Sequence, residues 1–337
     1  MNVLKWMEEI QVIKGYTRVC LYDLPRGNFR LADKTTQVLI DSIEGKTMDS
    51  VQSNLDSTEK EWLNEFKNSE YLFEVPESTF KSFPTINFQW ETPFRVLSSF
   101  IDKSSDLELV IPTLEQTGCK HLWIVFDTLD IASKEITKHL EYSYFLSIEI
   151  QIEKHNPSNN YESFLKKHPT ISNIHINDES FKSYSSSPEV SFSSKKTKGK
   201  PLFQINLLIF SESKEHNVFF NRKIYFTGSK PFATEGTDCR INDNFDEPKI
   251  WLSSKDKTDI CKHCEYRYMC VDNRIPVMRK ENEWYHDTEC NYNPYIAKWE
   301  NEENYKTLIE CGVISNKNEF SFNHEKIAEI NKELWGE

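Results

Sequence analysis

Four cysteines, Cys261, Cys264, Cys270 and Cys290, fall in the spacing Cys-x2-Cys-x5-Cys-x19-Cys. Four thiolates gathered in so short a segment can enclose one metal centre, which makes this the feature that most constrains the fold. Soft thiolates select zinc, copper(I) or iron-sulfur clusters, and zinc and a [4Fe-4S] cluster are the two candidates. Cysteines also serve as small buried hydrophobes, and Cys20, Cys119, Cys239 and Cys311 stand singly in apolar or loop contexts that suit that role. A disulfide is the other reading of the cluster. The start of the chain, Met1-Asn2-Val3-Leu4-Lys5-Trp6, has no signal-peptide character, so a reducing, cytoplasmic location is expected and metal binding is favoured over disulfides.

These residues carry a resemblance. Cys-x2-Cys-x5-Cys followed by a distant Cys resembles the SPASM domain, the C-terminal auxiliary-cluster module of radical SAM peptide maturases. In that family a further cysteine follows the third after three residues and serves a different cluster, whereas this chain has Arg274 there. The resemblance implies that Cys261, Cys264, Cys270 and Cys290 form the ligand set of one auxiliary [4Fe-4S] cluster, with Zn2+ as the alternative. It also implies that a second cluster, left with only Cys239 upstream, is not built. The run Cys264-Glu-Tyr-Arg-Tyr-Met-Cys-Val-Asp-Asn-Arg-Ile-Pro276 and the run Cys290-Asn-Tyr-Asn-Pro-Tyr295, with Lys298-Trp299-Glu300 after them, narrow it to the SPASM protein of grasp-with-spasm systems. There it accompanies an ATP-grasp ligase and a small precursor peptide. The match is specific over residues 245–337.

The catalytic cluster of radical SAM enzymes sits on Cys-x3-Cys-x2-Cys near the first barrel strand. No such triplet precedes Cys239, and Thr85 to Thr92, where it is expected, contains no cysteine. S-adenosylmethionine binding and radical chemistry are therefore not expected. No Gly-x4-Gly-Lys-Ser/Thr or Gly-x-Gly-x2-Gly pattern occurs among only nine glycines, so any ATP chemistry belongs to the ligase partner.

The chain has 337 residues, enough for two or three domains. Its net charge of -12, with basic residues not gathered in a stripe, argues against a nucleic-acid partner. No apolar run approaches the ~20 residues that span a bilayer, so no membrane partner is expected. Aromatic residues make up 13%, which suits either large buried contacts or a peptide-binding surface.

Three segments are expected. Over residues 1–80, strands at Ile10–Lys14, Arg18–Tyr22 and Asn28–Leu31, with a turn over Leu24–Asn28, lead into a helix capped by Asp33. That helix carries Val38, Leu39 and Ile43 on one side and ends at Gly45. A capping box at Thr58–Glu61 opens a second helix with Trp62, Leu63 and Phe66 apolar, before a strand at Tyr71–Val75. This order resembles the winged-helix-like PqqD recognition element of maturation enzymes. The resemblance implies that an exposed edge strand accepts an extended leader peptide.

Over residues 81–235, candidate parallel strands at Ile86–Trp90, His121–Phe126, Phe145–Ile152, Ile171–Ile176 and Phe203–Phe210 alternate with helical stretches at Leu107–Gln116, Ser133–Leu140 and Tyr161–Lys167. An α/β class follows, with a shortened, partly open (β/α) barrel like a degenerate radical SAM barrel. Polar stretches at Ser183–Pro188 and Lys195–Lys200 read as loops, and Asn217–Thr227 suggests a hairpin. The Cys-rich segment, 236–337, is expected to close with a helix over Asn301–Cys311 and another capped by Asn323.

The remaining candidates are Asp127 and Asp130 after a strand, His263 and His286 beside the cysteines, and Cys239 as a nucleophile without an assignable partner. With no complete catalytic set among them, the chain is expected to bind and present a precursor peptide, and a homodimer is allowed for. The alternatives are an enzyme that modifies the peptide through its cluster or Cys239, and a structural scaffold.

Overall fold

The computed structural model describes residues 1–90, 92, 95–176, 183–185, 202–234, 237–238 and 247–336. Cys239 and most of the two polar stretches lie outside the described residues. The chain folds as two compact units: one from residues 1–90, 198–219 and 253–337, the other from residues 91–197 and 220–252. The three segments read along the sequence are thus grouped in space as two bodies, with the first and most of the last, from residue 253 on, in the same one.

The first unit opens with β1 (Asn2–Trp6), followed by an antiparallel meander of β2 (Ile10–Lys14), β3 (Arg18–Asp23) and β4 (Asn28–Asp33). Helix α1 (Lys34–Ile43) starts at Asp33, whose carboxylate accepts the Thr36 N–H at 2.8 Å. Its inner face is Leu39, Ile40 and Ile43, whereas Val38 is 69% exposed. The 3.6-residue period places Val38 on the far side, correcting the expected face. Gly45, at φ +76°, turns the chain away in the left-handed region.

A short α2 (Met48–Gln52) follows, then α3 (Ser57–Asn68), whose capping box is Asp56 with Glu59 rather than Thr58 with Glu61. The helix begins two residues earlier because Asp56 caps at least as well and has its glutamate at the right offset. Strand β5 (Leu72–Pro76) pairs antiparallel with β1. Leu4, Leu21, Leu39, Ile43, Leu63, Phe66 and Leu72 form the core between these elements.

The second unit is built on βα repeats: β6 (Ser98–Ile101), α4 (Leu107–Gln116), β7 (His121–Phe126), α5 (Leu129–His139), β8 (Ser147–Ile152), α6 (Tyr161–Lys167) and β9 (Ile171–Ile176). β10 (Ser183–Ser185) lies antiparallel on β9. β11 (Leu202–Phe203) and α7 (Leu207–Glu215) belong to the first unit, and β12 (Lys223–Thr227), β13 (Lys230–Thr234) and β14 (Thr237–Asp238) return to the second.

The sheet order is β10-β9-β8-β7-β6-β12-β13-β14. The five strands β9, β8, β7, β6 and β12 are mutually parallel, and the outer ones antiparallel. The architecture is α/β with an open, mostly parallel sheet. Leu122, Ile124, Ile148, Ile150, Ile152, Ile174 and Ile176 fill one face and are at most 2% exposed. The opposite face carries Trp123, Glu149 and His175.

Two expected strands are corrected. Ile86–Trp90 pairs with no strand among the described residues, and the first parallel strand is β6. Phe203–Phe210 divides into the two-residue β11 and α7, whose cap Asn206 accepts the Ile209 N–H at 2.9 Å. A short apolar run does not distinguish helix from strand by period alone, and the cap decides it. The expected hairpin lies slightly later, with β12 and β13 turning at Gly228 and Ser229, both at positive φ.

The rest of the first unit is short pieces: β15 (Cys270–Val271) on β11, the hairpin β16 (Pro276–Lys280) and β17 (Glu283–His286), β18 (Tyr292–Asn293) with β19 (Lys298–Trp299), β20 (Val313–Ser315) with β21 (Phe320–Phe322), and α8 (His324–Trp335). α8 is capped by Asn323 as expected and buries Ile327 and Ile330. The helix expected at Asn301–Cys311 is a series of turns, because Asn304 sits at φ +61°, outside the right-handed helical region. No helix among the described residues is long and apolar enough to cross a membrane.

Candidate metal centre

A 3-10 turn over Cys261–His263 closes with the Cys264 N–H on the Cys261 carbonyl at 2.9 Å, holding the first two thiols on one side of a tight loop. The Tyr266 N–H then points at the Cys264 Sγ at 3.4 Å. Cys270 is fixed by β15, opposite Phe203 of β11. Cys290 stands two residues before β18, and the Tyr292 backbone N–H bonds its sulfur. All four cysteines line one cavity of about 440 Å³, with Lys255, Arg274 and His286 on its wall and Phe203, Tyr266 and Trp299 around it. The four sequence-predicted thiols thus line the same cavity.

Their electrostatics agree. Burial raises the pKa of Cys264, Cys270 and Cys290 above the ordinary thiol value. The thiolates also raise one another: Cys261 and Cys270 act on Cys264, Cys261 and Cys290 on Cys270, and Cys261 on Cys290. Such a set is uncomfortable as four thiolates alone, and a soft cation at the centre removes the repulsion. Two buried cations already oppose it, Lys255 near Cys270 and Arg274 near Cys290.

Sequence reasoning missed Lys255 and Asp272, whose Nζ and Oδ2 are 2.8 Å apart with side chains 7% and 6% exposed. One ligand atom each from Cys261, Asp272 and His286 lie within 4.8 Å of one another, and among the described residues no three of the four cysteine sulfurs come so close. Asp272 is not free to bind a cation there. Arg274 Nη2 reaches its Oδ2 at 2.6 Å, Arg274 Nε its Oδ1 at 3.1 Å, and Lys255 takes Oδ2 as well.

His286 has a side chain only 6% exposed, 3.9 Å from Asp272. Burial, with Arg274 and Lys255 close by, pushes its pKa down to about 3, so it faces the cavity as a neutral imidazole. His263 lies differently, in an aromatic nest of Tyr16, Tyr295, Phe320 and Phe322, where burial lowers it to about 4.

A second feature that sequence reasoning missed joins the first strands to the Cys-rich segment. Arg18 Nε donates to Glu265 Oε1 at 2.6 Å and its Nη2 to the Tyr266 hydroxyl at 2.7 Å. The Tyr292 hydroxyl donates to the same Glu265 oxygen, and the Tyr22 hydroxyl donates to the Glu265 carbonyl at 2.7 Å. Glu265 has no exposed side-chain surface. The meander is thereby fastened to the residues between the second and third thiols, and no local pattern reports a pairing across 247 positions.

Asp127 and Asp130 are not drawn into a site. Asp127 pairs with Lys103 at 3.2 Å and Lys154 at 3.8 Å at the surface, and Asp130 stands in the first turn of α5. The outer side of β4 carries no further strand among the described residues. A groove of about 300 Å³ includes Leu31 and Ala32 of β4, Arg18, Trp62 of α3, and Ala297 and Trp335. In the second unit, His175 Nε2 and Glu149 Oε2 meet at 2.8 Å, both groups buried, with Trp123 stacked on the imidazole at 4.4 Å. Compared with protein-family models, with curated proteins and with solved structures, the chain matches none of them.

Proposed function

We propose that this chain is a four-thiolate metalloprotein that binds a ribosomally made precursor peptide and presents it to an ATP-grasp ligase, without radical chemistry of its own. The observation that carries the metal reading is the convergence of Cys261, Cys264, Cys270 and Cys290 on one cavity with compensating cations in its wall. A single tetrahedral zinc, with Zn–S near 2.3 Å, draws four sulfurs to roughly 3.8 Å from one another. The SPASM-like spacing favours a [4Fe-4S] cluster, whose four irons hold their sulfurs farther apart, and zinc is the alternative. With every iron held by a cysteine, such a group supplies structural stability or electron transfer rather than an open ligand position.

The peptide reading is supported by the SPASM-like runs and by the edge of β4 beside its groove. Leu31 and Ala32 offer an extended backbone, and Trp62 and Trp335 offer apolar contact, so a leader can add a strand there. An enzymatic reading has one observation in its favour, the buried Glu149–His175 pair against Trp123. Incubating precursor, ligase and ATP with and without this protein, and following product mass, separates the two. Ligase-dependent dehydration that needs this protein supports presentation, and a mass change with this protein alone supports the enzyme. A precursor that neither binds nor changes in either mixture refutes peptide maturation altogether.

A further inference from the structure

We propose that Lys255 and Arg274, joined through Asp272, form a buried charge clamp that sets the affinity and reduction potential of the thiolate centre. The proposal rests on the reading of Cys261, Cys264, Cys270 and Cys290 as one ligand set. Four thiolates around either a zinc ion or an oxidised [4Fe-4S] core leave two negative charges in a mostly apolar cavity. A buried charge of that size is costly unless opposite charges are fixed beside it.

The clamp supplies them. Asp272 accepts from Lys255 Nζ at 2.8 Å, from Arg274 Nη2 at 2.6 Å and from the Arg274 backbone N–H at 3.0 Å. Arg274 Nη1 donates to the Thr288 carbonyl at 2.9 Å, two residues before Cys290. Both cations therefore have a fixed direction and little solvent around them, with side chains 7% and 19% exposed. Two cations against one carboxylate leave a net positive charge facing the thiols. The same arrangement makes the Cys261–Asp272–His286 trio a poor cation site in its own right, since an ion placed there meets Lys255 and Arg274 at once.

The clamp predicts effects of opposite sign, which a merely structural loop anchor does not. Wild type, Lys255→Met, Arg274→Gln, Arg274→Lys and Asp272→Asn are reconstituted anaerobically, and iron, sulfide and zinc per chain are measured. In the iron-sulfur form, redox titration followed by absorbance and electron paramagnetic resonance gives the midpoint. It is expected to move negative in Lys255→Met and Arg274→Gln, to stay near wild type in Arg274→Lys, and to move positive in Asp272→Asn. In the zinc form, competition with a chromophoric chelator is expected to show about tenfold or more weaker retention in the first two variants, and no weakening in Asp272→Asn.

Folding is checked by circular dichroism, and where the neutral variants do not fold, Arg274→Lys and Asp272→Asn alone carry the sign test. Metal-loaded Lys255→Met, Arg274→Gln and Asp272→Asn that titrate like wild type overturn the clamp and leave the thiolate reading standing. A wild-type protein that takes up neither metal overturns the thiolate reading, and the clamp with it.

Discussion

A Cβ placed on Gly15 would stand 2.8 Å from Glu265 Oε2, 2.9 Å from Glu265 Cβ and 2.9 Å from the Arg18 carbonyl. The turn between β2 and β3 thus lies against the segment that carries the first thiols, and only a residue without a side chain allows it. Gly15→Ala is expected to destabilise the first unit by about 1–3 kcal/mol, the usual range for overpacking. Urea unfolding read by tryptophan fluorescence checks this, and an unchanged midpoint would refute the close approach. In the second unit, His121 has its pKa lowered below its ordinary 6.5, by burial first, with Glu149 opposing and Lys120 adding to the effect. The folded state thus holds this ring neutral where the unfolded chain takes up a proton. Its contribution to stability is complete above about pH 6.5 and is lost as pH falls from there toward the folded value. His121→Gln should flatten the loss of urea resistance between pH 7 and 5.5, and identical slopes in the two proteins would count against the assignment.

Helix α3 shows what the chain states locally and what it does not. Glu59 N–H donates to Asp56 Oδ1 at 2.8 Å, and Asp56 N–H donates to Glu59 Oε2 at 3.1 Å. Two orphan donors are satisfied by adjacent side chains, so Asp56→Ala should cost about 1 kcal/mol, measurable by thermal melting. Replacement of Thr58, the cap read from the sequence, should cost little, and a larger loss there would reinstate the sequence reading. Elements defined by their own caps and periods were legible in this way: α1 from Asp33, α4 and α6 along their full lengths, and α8 from Asn323. Elements that depend on distant partners were not. β1 is a strand because β5 lies beside it. α7 looked like a strand because Leu207 to Phe210 is apolar throughout, and the expected helix over Asn301–Cys311 failed on the backbone of one residue, Asn304. The four thiols of the candidate centre were legible because their spacing is a local pattern. Lys255, Asp272 and the Arg18–Glu265 bridge were not, since an ion pair between distant segments leaves no trace in spacing.

The two units bury separate cores, and the thiol cavity belongs wholly to one of them. The first unit uses the cavity as a junction. β15 carries Cys270 onto β11, the hairpin of β16 and β17 leads into Cys290, and Arg18 of the meander is bonded to Glu265 between Cys264 and Cys270. Many of these pieces are strands of only two residues, too short to hold their positions through backbone pairing alone, so a central metal would supply much of their order. The second unit has Ile148, Ile150, Ile152, Ile174 and Ile176 buried across a parallel sheet, and none of the four thiols belongs to it. Removing metal by chelation under reducing conditions, or replacing Cys290 by Ser, should therefore unfold the first unit selectively. In hydrogen-exchange mass spectrometry, peptides covering β15 to β19 and the β2–β3 turn are expected to lose protection, while those covering β7, β8 and β9 keep it. Uniform loss across both sets would show that the chain unfolds as one body. Full protection of both sets after complete metal removal would show that the four cysteines hold no structural metal.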